Sequence, residues 1–135
     1  MITADETIAT LVNTAIEASR NAYVPYSNYR VGAVLVAKDE SIYTGCNVEN
    51  AAFSPTICAE RTALVKAISE GRRAFDTIVV VTRDGGFPCG VCRQALYEFA
   101  PDLRVIIADL DGRLLHDTRL ADLLPHGFGP SNLEK

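Results

Sequence analysis

The chain has 135 residues, of which 48% are hydrophobic, and carries a net charge of −4. That length and composition suit one domain over residues 1–135 with a sizeable core, and no apolar run is long enough for a membrane span. The charge has the wrong sign for gripping a phosphate backbone, which counts against a nucleic-acid partner. Four cysteines with no signal peptide ahead of them point to the reduced cytoplasm and not to a disulfide framework.

Thr3-Ala4-Asp5-Glu6 forms a capping box, after which Ile8, Leu11, Val12, Ala15 and Ile16 make one helical stripe. Residues 21–30 hold Pro25 and three tyrosines, Tyr23, Tyr26 and Tyr29, and read as a loop. The rings serve either rim packing or a substrate. Residues 31–37 read as a buried strand, 38–40 as a turn and 41–48 as the strand's partner. That partner runs into Asn47-Val48-Glu49-Asn50. Asn47 and Glu49 share a face there while Val48 packs inward. An amide beside a carboxylate suits the hydroxyls of a sugar.

The next stretch is Thr56-Ile57-Cys58-Ala59-Glu60-Arg61, which opens a helix over 57–70 with Thr56 as candidate cap and Gly71 as terminator. Its inner face carries Ala63, Leu64, Ala67 and Ile68. Residues 76–82 are apolar without alternation, the mark of a strand covered on both faces. A loop over 83–87 delivers Pro88-Cys89-Gly90-Val91-Cys92-Arg93, and a helix over 90–99 ends before Pro101. Residues 103–108 form another buried strand, Asp111-Gly112 a turn, and 113–116 a short last strand. Asp117 or Thr118 caps a small helix over 120–124, closed by Pro125. The tail carries Phe128 between Gly127 and Gly129. His116 and His126 lack ligand spacing and read as surface residues. Helices interleaved with strands make an α/β layered domain around a central sheet.

Three thiols and a carboxylate carry the chemistry. Residues two apart in mid-helix point to opposite sides, so Cys58 and Glu60 share a target only if it sits ahead of the first turn. Cys89 and Cys92, three apart, fall on one side of a second first turn. A metal there lies between two helix N-termini, whose dipoles favour thiolates. Catalytic zinc takes three protein ligands and keeps the fourth position open. Three thiolates on a dication leave one negative charge, which Arg61, together with Arg93, is placed to offset. Glu60 binds no metal and carries protons. A Cys-x-x-Cys also suits a structural zinc knuckle or a redox pair, and Cys46 could complete a closed four-cysteine site. A closed site, however, has no use for the Glu60 spacing.

Cys58-Ala59-Glu60 followed by Pro88-Cys89-x-x-Cys92 resembles the three-cysteine form of the zinc-deaminase signature. The likeness to small homotetrameric cytidine deaminases runs nearly end to end. It is carried by Ala22-Tyr23-Val24-Pro25-Tyr26-Ser27, Gly45-Cys46-Asn47-Val48-Glu49-Asn50, Cys58-Ala59-Glu60-Arg61-Thr62-Ala63, Pro88-Cys89-Gly90-Val91-Cys92-Arg93-Gln94 and Leu123-Leu124-Pro125. The resemblance implies a three-layer α/β/α fold around a mixed five-stranded sheet, and one zinc per chain on Cys58, Cys89 and Cys92. It implies that Glu60 is the proton shuttle, that Asn47 and Glu49 hold the ribose 3′-hydroxyl, and that the Ala59 backbone reads the base. Arg61 would hydrogen-bond the zinc thiolates, and Phe128 would cover the base bound by a neighbouring subunit. The implied reaction is hydrolytic deamination of cytidine and 2′-deoxycytidine, a step of pyrimidine salvage.

Two positions depart from the family's usual pattern. Tyr29 stands where phenylalanine is common beside the base, and Phe53 where tyrosine is common near the subunit junction. Other readings are a deaminase of a modified or antibiotic nucleoside such as blasticidin, a polynucleotide deaminase, and a non-catalytic zinc-stabilised module. Asn47 and Glu49 favour a ribose, and the acidic charge counts against a polynucleotide.

Overall fold

The computed structural model describes residues 4–134. The capping box expected over 3–6 lies outside the described residues at Thr3 and outside the described side chains at 4–6. Helix α1 (Ala4–Ser19) leads to the hairpin β1 (Gly32–Ala37) and β2 (Ile42–Cys46), and then to α2 (Ala59–Ser69) and β3 (Phe75–Thr82). Next come α3 (Gly90–Tyr97), β4 (Arg104–Asp109), β5 (Leu114–Arg119), the short α4 (Leu120–Leu123) and a 3₁₀ turn at Pro130–Leu133.

The five strands form one mixed sheet in the order β2-β1-β3-β4-β5. Strand β1 is antiparallel to β2 and to β3, β3 is parallel to β4, and β4 is antiparallel to β5. The parallel pair needs a crossover, and α3 supplies it. Strand β3 shows why an unbroken apolar run belongs at the centre. Its Val79 and Val81 join Val12 and Ala15 of α1 in one core cluster. Its Ile78 and Val80 join Ala63, Leu64 and Leu96 of α2 and α3 in the other. Period-two alternation thus feeds two cores, one on each face, and the expected three-layer α/β/α architecture results.

Two glycines allow the helices to lie close to the sheet. A Cβ on Gly32 would meet the Ala15 carbonyl oxygen at 1.9 Å, and one on Gly45 would meet the Ala59 carbonyl oxygen at 2.2 Å. The second contact seats the first turn of α2 directly on β2, which fixes where Cys58 and Glu60 stand.

Several local expectations are corrected. Strand β2 stops at Cys46, and Val48 is 41% exposed instead of packed inward. The chain has left the sheet by then. Val48 exchanges backbone hydrogen bonds with Ile57, and the flanking Asn47 and Glu49 bond the backbone of Tyr23. Helix α2 begins at Ala59 with Cys58 as its N-cap, while the Thr56 hydroxyl accepts from the Asn50 amide at 3.0 Å. Strand β5 runs on to Arg119, so neither Asp117 nor Thr118 caps α4. Cross-strand pairing claims Asp117, whose carboxylate takes a two-pronged contact from Arg104 at 2.9 and 2.6 Å.

Candidate active site

Because β1 is antiparallel to both neighbours, β2 and β3 point the same way and end at the same side of the sheet. The chain leaves each strand there and turns back through a loop into α2 or α3. In open α/β sheets that region is where ligands bind. Cys58 is the N-cap of α2 and Cys89 the N-cap of α3, both in extended backbone conformation, and neither side chain caps its own helix. Cys92 stands one turn into α3, fully buried.

The thiols converge. Cys58 Sγ lies 3.7 Å from Cys89 Sγ, which lies 3.5 Å from Cys92 Sγ, and all three sulfurs fall within 4.8 Å of one another. Tetrahedral thiolates ~2.3 Å from a zinc ion would be about 3.8 Å apart, close to the spacing of both pairs that include Cys89, so the donor set fits that ion. Among the described residues no other three or more His, Cys, Asp or Glu side chains converge in this way, and Cys46 is not part of the group. The closed four-cysteine site is therefore not formed.

The electrostatics favour charge on the Cys58 sulfur. Hydrogen bonding from Cys92, with further contributions from Arg61 and Cys89, draws the Cys58 thiol down to about 5. Sharing its proton with Cys58, and burial, push Cys92 the other way. Arg61 Nη2 donates to Cys58 Sγ at 3.6 Å, and its buried Nε has no hydrogen-bond partner among the described residues. Arg93 does not join it. Its Nε donates to the Pro88 carbonyl at 2.8 Å and its Nη1 to that of Leu123 at 3.1 Å. This guanidinium braces the loop that carries Cys89 and leaves the sulfur charge to Arg61. Glu60 is 4% exposed, and burial, reinforced by the neighbouring Cys58 charge, pushes its carboxyl up to about 7.

A cavity of about 410 Å³ opens in front of the cluster, and Tyr29, Asn47, Glu49, Cys58, Glu60 and Cys89 all line it. Asn47 also holds the loop together: its Oδ1 accepts from the Val31 amide at 2.9 Å, and its Nδ2 donates to the Tyr29 carbonyl at 2.8 Å. One N–H and one lone pair of the amide stay free. The Glu49 carboxylate accepts from the amides of Tyr26 (2.9 Å) and Ser27 (3.1 Å) and from the Ser27 hydroxyl, which keep its pKa below the usual value. Ser27 lines the same cavity and was missed in the sequence, where a loop serine carries no spacing signal. A larger cavity of about 490 Å³ beside α1 gathers none of the candidate residues.

Cys92, Arg61, Ala59 and Phe128 lie outside the cavity wall. Ala59 is fully buried between Cys58 and Glu60. Phe128 is 56% exposed, and its carbonyl accepts from Gln94 Nε2 at 2.8 Å. Both histidines are exposed, as expected; His116 packs on Phe87, with ring centroids 4.6 Å apart.

Residues 5–108 match the family described as the cytidine and deoxycytidylate deaminase zinc-binding region. A cytidine deaminase of Sporosarcina psychrophila is 45% identical over 126 residues, covering 91% of this chain and 92% of that one. A blasticidin-S deaminase of Bacillus cereus is 32% identical over 109 residues, covering 73% and 76%. The crystal structure of cytidine deaminase from Burkholderia pseudomallei superposes with a TM-score of 0.84 at 43% identity, covering 88% of this chain and 97% of that one. With the thiol triad, the buried carboxylate and the layered sheet already in place, the chain belongs to the zinc-binding cytidine and deoxycytidylate deaminase family.

Proposed function

We propose that the protein hydrolyses cytidine and 2′-deoxycytidine to uridine and 2′-deoxyuridine with release of ammonia. The observation that carries this reading is a buried carboxyl, Glu60, sharing one cavity with the thiol cluster and with the Asn47–Glu49 pair. Cys58, Cys89 and Cys92 hold one zinc, which when bound supplies the Lewis acidity that readies water as a nucleophile near neutral pH. Glu60 takes a proton from that water and delivers it to N3 of the cytosine, which makes C4 electrophilic. The water oxygen bonds to C4, Glu60 takes the second proton from that oxygen and hands it to the amino nitrogen, and the C4–N bond breaks as the C4 carbonyl forms. Water plus cytidine thus becomes uridine plus ammonia. Asn47 and Glu49 orient the ribose, the Ala59 backbone reads the base, and Tyr29 supplies a ring beside it.

The test is ammonia release from purified protein. Cytidine and deoxycytidine are expected to react, while cytidine 5′-monophosphate reacts poorly, because a like charge ~4 Å from Glu49 costs on the order of a few kcal/mol near a protein surface. Equal kcat/KM for nucleoside and nucleotide would overturn the assignment of Glu49. The 45% identity with a cytidine deaminase, against 32% with the blasticidin-S enzyme, supports the plain nucleoside.

We place the whole of residues 1–135 in one deaminase domain, working in pyrimidine salvage in the cytoplasm, where its four free thiols stay reduced. We also read it as a homotetramer with shared sites. Phe128 supports this, because it is exposed yet firmly mounted. A Cβ on Gly127 or Gly129 would approach the Tyr97 ring at 2.8 or 3.1 Å, so the two glycines lie flat on that ring. Phe128→Ala is expected to weaken nucleoside binding by roughly 1–2 kcal/mol, the scale of a stacking contact, without loss of zinc. A fully active monomer in sedimentation would end the shared-site reading.

A further inference from the structure

Tyr29 is one of the two departures from the family's usual rings, and its hydroxyl has a partner of its own. The Tyr29 hydroxyl donates to Asp84 Oδ1 at 2.5 Å. The same oxygen accepts from the buried Thr82 hydroxyl at 3.2 Å, and Thr82 Oγ1 in turn accepts from the Gly86 amide at 2.9 Å. The Arg83 guanidinium lies 5.0 Å from the centre of the Tyr29 ring. On the other side of Tyr29, its amide donates to Ser27 Oγ at 3.0 Å, and that hydroxyl donates to Glu49. Polar contacts therefore run unbroken from Glu49 through Ser27, Tyr29 and Asp84 to Thr82 and Gly86. They join the loop that ends the sugar side of the cavity to the loop that delivers Cys89.

We propose that Asp84, which does not itself line the cavity, is a positioning residue that turns the Tyr29 hydroxyl outward and sets the width of the base pocket. Three observations converge on it. Tyr29, Thr82 and Gly86 all line the cavity, so the Tyr29–Asp84 bond spans two of its walls. A Cβ on Gly86 would stand 2.8 Å from the Tyr29 hydroxyl oxygen, so the loop carries glycine where the phenol needs room. Asn28, at φ 57, takes the left-handed turn that swings residue 29 across the opening, a conformation asparagine adopts more readily than most residues. Burial and the Asp84 hydrogen bond both hold the Tyr29 phenol above its ordinary pKa, keeping it a donor. The consequence is a flat apolar ring face toward the ligand, with the hydroxyl that a phenylalanine would lack kept out of the pocket.

This inference rests on the deaminase reading, and its test separates the two. Asp84→Ala is expected to raise KM for cytidine roughly fivefold to tenfold, the scale of one lost hydrogen bond, with kcat within about twofold. Asp84→Asn keeps an acceptor oxygen and is expected to restore KM to within about twofold. Tyr29→Phe removes the donor alone, so the double variant with Asp84→Ala is expected to be no worse than the weaker single variant. Amide hydrogen exchange reads the same brace without activity: the Gly86 amide is expected to exchange roughly fivefold faster in Asp84→Ala and in Tyr29→Phe. Additive KM effects, or unchanged exchange at Gly86 in both variants, would overturn the proposal. If cytidine releases no ammonia at all, the assigned reaction fails while the exchange result still decides the brace.

Discussion

Glu60→Gln is expected to lower turnover of cytidine by at least ~10²-fold, the low end for general acid–base catalysis, while zinc content stays at the wild-type level. Glutamine fits the same volume on the first turn of α2 and keeps a carbonyl acceptor. Its amide neither takes up nor releases a proton near neutral pH, so the water cannot be deprotonated and N3 cannot be protonated. Glu60 is 4% exposed, and burial is the main force pushing its carboxyl up to about 7. Such a group stays close to an equal balance of acid and base, as a residue that must both take and give a proton requires. The substitution removes a charge from a buried place, so folding is not expected to suffer. Turnover near wild type would refute the proton-shuttle role outright.

How far the sequence could be read depended on whether local chemistry or tertiary context decided each feature. The thiol triad was legible because helix geometry fixes what residues one turn apart can share, and Cys89 and Cys92 do share it. The central strand was legible because β3 carries the unbroken apolar run Ile78-Val79-Val80-Val81 and the core has two faces to fill. Helix starts were less so. Thr56 is a better cap by type than Cys58, but the backbone bonds between Val48 and Ile57 hold the chain extended past it, and α2 cannot begin until residue 59. Asp117 went the same way, since pairing of β5 with β4 places it opposite Ile106 and beside Arg104. Arg93 was misassigned because adjacency to a ligand cysteine says nothing of where a long side chain reaches, and the carbonyls of Pro88 and Leu123 claimed it. The tie from Tyr29 to Asp84 spans 55 positions, and no spacing rule covers such a distance.

Cys89→Ser is expected to take the protein from about one zinc per chain to nearly none, and to abolish deamination with it, while Cys46→Ser keeps both. Cys89 is the most informative of the three thiols to change. It is the N-cap of α3, where serine is a preferred residue, so the substitution leaves the helix at least as well capped. It is also exposed, so a hydroxyl there is solvated without penalty, unlike one at the fully buried Cys92. What it removes is one sulfur 3.7 Å from Cys58 and 3.5 Å from Cys92. Two thiolates alone cannot hold the ion in a catalytic site that needs three protein ligands. Cys46 takes part through its backbone, accepting from the Thr62 hydroxyl at 3.0 Å, and serine preserves that carbonyl. Elemental analysis after gel filtration measures both variants, and circular dichroism shows whether the fold has survived. Full zinc in folded Cys89→Ser, or its loss from folded Cys46→Ser, would mean that the metal is held by a different set of thiols.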